Sequence, residues 1–86
     1  MHTEINIQTA SKLRGLRAEK NLTIEDVSEK TGISKDTICR YENSNVSMQL
    51  WILDKLVNCY GINLHIFFKN IYDKMQNNLE PKEKEE

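Results

Sequence analysis

TIEDVSEKTGISKDTICRYE, residues 23–42, reads as two short helices with a tight turn between them. Thr23 stands where a helix N-cap belongs, and Asp26 three positions later makes the start a capping box of the acidic kind. Leu22 and Val27 flank that cap as a hydrophobic staple, and Ile33 and Ile38 flank Ser34 in the same way. Gly32 falls at the end of the first helix, where a left-handed residue is usual. So short a connection forces a steep crossing, which needs a small residue at the contact, here Ser28, and a turn residue tolerant of positive φ, here Gly32. With Val27, Ile33, Ile38 and Tyr41 pointing inward, the 100° step puts Asp36, Cys39 and Arg40 on the opposite side. Ser34, Lys35 and Thr37 lie at the N-terminal end of that second helix.

The same start device recurs outside this stretch, as Val46–Ser47–Trp51 and as Ile62–Asn63–Phe67. Together with a helix expected over 9–20 (Ala10, Leu13, Leu16 and Arg17 on one side), this gives an all-α chain without a convincing strand. The fourth helix is expected to turn Leu50, Leu53, Leu56, Val57 and Tyr60 inward and to stop near Gly61, with Trp51 packed on Val46 in preference to serving as a partner-binding anchor. The last helix, about 63–79, carries Leu64, Phe67, Phe68, Ile71, Tyr72, Met75 and Leu79 within about 140° of its circumference. Leu64, Phe67 and Phe68 suffice to complete a small core. Ile71, Tyr72, Met75 and Leu79 run on beyond it; the stripe either folds back on the first helix or, the favoured reading, is an association surface.

Eighty-six residues make one small domain, here 1–79, and the charged segment 80–86 reads as a flexible tail. Twelve Lys and Arg against thirteen Asp and Glu give a net charge of −1, which argues against strong non-specific attraction to a polyanion and leaves local contacts open. No run approaches the roughly 20 apolar residues of a membrane span, and the polar start MHTEINIQ is not a signal peptide, so the expected location is cytoplasmic. Cys39 and Cys59 form no CxxC and read as reduced thiols; an adduct on Cys39 would obstruct the outer side of its helix. No metal-ligand cluster, nucleophile–base pair or phosphate-cradling loop is visible, so neither an enzyme nor a cofactor nor a small-molecule ligand is expected.

From about Leu13 to Phe68 the chain resembles the Cro/repressor-type helix-turn-helix family, through LRGLRAEKNLT, the helix-turn-helix itself, RYEN and LDKLVNCYGINL. The resemblance implies a five-helix, lambda-repressor-like DNA-binding domain with an extended C-terminal helix. It also implies an ion pair between Arg17 and Glu42 as a tie across the domain. The chain departs from the family pattern at Ile24, Ser28, Ser44 and Met48, which leaves Thr23, Asn43, Asn45 and Ser47 as the candidates for phosphate contacts. Ser34, Lys35, Asp36, Thr37 and Arg40 are the candidates for base reading. Arg and Lys suit guanine O6 and N7, Asp accepts from cytosine N4, and Thr offers a methyl or hydroxyl. The expected partners are double-stranded DNA and a second copy of the chain, meeting through Ile71, Tyr72, Met75 and Leu79. Such a dimer would act as a repressor on a pseudo-palindromic operator, in the manner of small phage repressors and restriction–modification controllers. The competing reading is a protein-interaction module on the same scaffold, such as an antitoxin or an assembly adaptor.

Overall fold

The computed structural model describes residues 4–43 and 47–79, the last three of these by their backbone alone. It contains five helices: α1 (Glu4–Glu19), α2 (Ile24–Thr31), α3 (Lys35–Glu42), α4 (Leu50–Cys59) and α5 (Leu64–Leu79). The expected tail at 80–86, the departure Ser44, the phosphate candidate Asn45, the staple residue Val46 and the side chain of the dimer candidate Leu79 lie outside what is described.

The starts of α2, α3 and α5 are set locally, as their sequences require. Thr23 Oγ1 accepts from the Asp26 amide and Asp26 Oδ2 accepts from the Thr23 amide, each at 3.0 Å, so the capping box is closed. That interaction, the backbone bond first, holds the Asp26 carboxyl below its ordinary range. Ser34 caps α3 by accepting from the Thr37 amide at 3.2 Å, and Asn63 caps α5 by accepting from Ile66 at 2.9 Å. Gly32 and Gly61 take positive φ of 78° and 87° at the two turns where such a residue is expected. The Ser28 hydroxyl donates to the Ile33 carbonyl at 2.6 Å, satisfying a turn acceptor that an alanine at the crossing would leave open.

α4 corrects the sequence reading. It starts at Leu50 behind Gln49, which makes no side-chain cap bond, rather than behind Ser47. The Gln49 amide donates instead to the Tyr41 phenol at 2.8 Å, so this start is tied to α3 by a long-range contact. Leu53, Leu56, Val57 and Tyr60 face inward as expected, but Leu50, now at the first helical position, is 65% exposed and Ile52 joins the core. Trp51, expected in a staple, is 59% exposed, its indole N–H donating to Gln49 Oε1 at 2.7 Å.

The core joins all five helices around Leu13, Val27, Ile38, Leu56, Val57, Tyr60, Phe67 and Ile71. α1 begins five residues ahead of the expected Thr9, and its added turn brings Ile5 to the margin of that core. α1 packs along α5, and this corrects the surface role expected of Ile71, which is 2% exposed and belongs to the monomer's own interior. Ile24 and Met48, two of the departures from the family pattern, are partly buried against the same core. Among the described residues no helix is long and apolar enough to cross a membrane.

Candidate nucleic-acid interface

The outer face of α3 is positioned from behind by an ion pair. Arg17 donates through Nε to Glu42 Oε2 at 2.8 Å and through Nη2 to Oε1 at 3.0 Å, a two-point contact from α1 to the end of α3. Its third nitrogen, Nη1, donates to the Leu22 carbonyl at 3.0 Å, which fastens the approach to α2 as well. The hydrogen bond to Glu42 raises the Arg17 pKa further, against the opposing effect of burial. Arg14, one helical turn before Arg17, donates to the Glu42 backbone carbonyl, one of the C-terminal acceptors of α3. Tyr60 lies in the same interior, its phenol pushed up first by burial and then by Glu42, and among the described residues its hydroxyl has no hydrogen-bond partner.

With Ile38, Tyr41 and Glu42 buried, α3 turns Lys35, Asp36, Cys39 and Arg40 to the outside. Ser34 is exposed at its start and Thr37 is half-buried, so the five base-reading candidates form one continuous surface. Within it the hydroxyls of Ser34 and Thr37 are bonded at 2.9 Å, and Arg40 Nε meets Asp36 Oδ2 at 3.1 Å. Ser34 is therefore engaged twice with Thr37, as cap and as hydroxyl partner, which leaves Lys35, Thr37 and Arg40 as the groups best placed to donate outward.

The phosphate candidates divide. Thr23 donates its amide and accepts through its hydroxyl oxygen in the capping box, and Asn43 donates its side-chain amide to the Cys39 carbonyl at 2.8 Å to close α3. Both are exposed but serve first as caps, and Ser47 is exposed without capping α4. Two basic groups were missed by the sequence reading. Arg14 shares its side of α1 with Arg17 through i, i+3 spacing, a signal that was available. Lys55 reaches from α4 to the Thr31 carbonyl at 3.4 Å, a contact that no local pattern announces. The first turn of α4 holds no acidic residue, so its positive dipole end is not neutralised locally. Between the turn of the helix-turn-helix and α4 lies a groove of about 340 Å³ lined by Ile33, Ser34, Thr37, Trp51 and Lys55 among others.

Among the described residues no group of His, Cys, Asp or Glu could hold a metal ion. Cys39 is exposed on α3, and Cys59 is partly buried, with burial pushing its thiol pKa up.

A model of the helix-turn-helix domain matches residues 8–65. The chain belongs to the helix-turn-helix domain family. That is a family of DNA-binding transcription regulators rather than of enzymes, in agreement with the Cro/repressor-type resemblance. The cryptic phage CTXphi transcriptional repressor RstR of Vibrio cholerae is 38% identical over 53 residues, 62% of this chain and 48% of its own. The chain thus matches about half the length of that relative. An uncharacterized HTH-type transcriptional regulator of Methanocaldococcus jannaschii is 33% identical over 58 residues, 67% of this chain and 88% of its own. Among solved structures, a point mutant of the restriction–modification controller protein C.Esp1396I superposes with a TM-score of 0.78 over 87% of this chain and 95% of its own. At 17% identity that likeness shows the fold. The same controller was also solved as a tetramer in complex with its natural 35-base-pair operator, which superposes with a TM-score of 0.76 at 16% identity over 85% of this chain and 96% of its own.

Proposed function

We propose that the protein is a sequence-specific DNA-binding transcriptional regulator, acting as a homodimeric repressor on a pseudo-palindromic site. The observation that carries this reading is the outer face of α3. Lys35, Thr37 and Arg40 are presented together on a helix whose inner face is locked by Arg17 and Glu42. A side chain set of that kind, Lys35 and Thr37 at the start of a recognition helix and Arg40 one turn on, suits the edges of base pairs in the major groove. The controller fold solved on its operator and the phage repressor similar over half its length support the same use of the scaffold. Repression needs only occupancy of a promoter, so it is the simplest regulatory outcome.

A second subunit adds what one small domain lacks, a second recognition helix about 34 Å away on the duplex. The dimer surface is redrawn around Tyr72, which is 56% exposed on α5, with Met75 partly buried at its edge. Ile71 is excluded from it. Tyr72→Asp should give folded monomers in light scattering, with a melting temperature lowered only by the loss of the partner, whereas Ile71→Asp should unfold the domain. A Tyr72→Asp variant that remains dimeric removes this surface from the proposal.

Selection from random duplex DNA at two salt concentrations tests the function. An enriched palindrome whose binding weakens steeply with salt supports it; failure of the folded protein to enrich any sequence at low salt defeats it. Exposed Leu50 and Trp51 favour a second reading, a protein-interaction module, and that reading takes over if no DNA sequence is enriched.

A further inference from the structure

We propose that Asp36 is a positioning residue for Arg40 and does not itself read a base. The inference rests on the DNA-reading role of α3 and assigns the division of labour within it. A carboxylate on the surface offered to a polyanion is repelled unless something neutralises it or it accepts from a base. Asp36 Oδ2 lies 3.1 Å from Arg40 Nε, one helical turn away, and the side chains are 75% and 57% exposed. Because both groups stand in water, the fold itself has little use for the contact.

Its geometry is what matters to a duplex. The contact takes the Nε corner of the guanidinium, so the terminal Nη1 and Nη2 remain for a two-point contact. That terminal fork matches the O6 and N7 acceptors of guanine. The contact at Nε biases an otherwise flexible side chain toward one orientation before DNA arrives, and it offsets the acid's charge where phosphates approach. Asp36 also sits in the first turn of α3 and Arg40 in the last, an arrangement that favours the helix electrostatically. Lys69 and Asp73 make a comparable exposed pair on α5, so such a pair alone says nothing about DNA. The readout must therefore be base preference and not stability.

The test is parallel selection from random duplex DNA with the full chain and its Asp36→Ala, Asp36→Glu and Arg40→Ala variants, each checked for an unchanged melting curve. Asp36→Ala and Arg40→Ala should flatten preference at the same base pair, Asp36→Ala by roughly tenfold against guanine. Asp36→Glu, whose carboxylate still reaches residue 40, should restore most of that preference. The proposal is overturned if Asp36→Ala flattens a different base pair while the one lost in Arg40→Ala keeps its preference, because Asp36 then reads a base directly. It is equally overturned if Asp36→Ala raises affinity for all sequences and leaves preference untouched. If the unsubstituted protein enriches no sequence, the DNA-reading role of α3 fails and this inference with it, a result distinct from both.

Discussion

The two sides of α3 carry the same chemistry, one arginine and one carboxylate, under opposite conditions. Behind the helix, Glu42 is 5% exposed at its side chain and holds Arg17 at two points. In front, Asp36 and Arg40 share one contact in open solvent. Water decides what each pair is for. Where it is excluded, removing one partner strands a charge that cannot be solvated, and the pair governs stability. Where it is present, ion pairing is nearly neutral in energy, and the groups stay available to a partner. A single eight-residue helix thus separates fold from function by its inner and outer faces.

The contrast can be broken by substitution on either side. Ile38→Ala, at the fully buried centre of the inner face, should have the largest effect, about 2–5 kcal/mol in urea unfolding. Glu42→Ala should follow. It leaves the Arg17 guanidinium with the Leu22 carbonyl alone, at a loss of about 2–3 kcal/mol, reduced from a fully buried pair because Arg17 is 24% exposed. Base preference should persist in whatever fraction stays folded. Thr23→Ala opens the capping box of α2 and should cost about 1 kcal/mol. Arg40→Ala, on the outer face, should change stability by less than about 0.5 kcal/mol and yet abolish base preference at one position. An Arg40→Ala variant destabilised as much as Glu42→Ala would erase the distinction between the faces.

A pH titration sharpens the smallest end of the scale. Hydrogen bonds with Thr23 lower the Asp26 pKa in the folded state beneath its ordinary 3.8. The charged form is therefore favoured by folding. Its stabilisation is complete above the unfolded value and fades as pH falls through the lowered folded one. Asp26→Asn should lack that part of the acid response, giving a shallower loss of stability below about pH 4 in circular dichroism, in line with the lowered pKa.

Legibility in the sequence followed the range of the determining contacts. Thr23, Ser34 and Asn63 cap helices through bonds three residues long, so local spacing located α2, α3 and α5. The start of α4 depends on the Gln49 amide meeting the Tyr41 phenol, eight residues away and on another helix, and the local staple pattern at Ser47 misdirected it. Leu50 was consequently placed inside and Ile52 left out. α1 was read short because Ile5 and Ile7 alternate with Glu4, Asn6 and Gln8, a spacing that does not trace a helical face. Ile71 was misassigned because the dimer was preferred to the fold-back of α5 on α1, and it is the fold-back that buries this side chain. The Arg17–Glu42 tie and the composition of the outer face were both legible. The pairing of Asp36 with Arg40 was not, since i, i+4 spacing permits a pair without requiring it.

The central claim is that the outer face of α3 meets DNA. An amide-resolved NMR titration of the labelled protein with its selected duplex tests it most directly. The account predicts that the largest shifts fall on residues 34–40, with the interior of α5 around Phe67 and Ile71 unmoved. Shifts confined to Leu50, Trp51 and the exposed face of α5, with residues 34–40 unchanged at saturation, would contradict it.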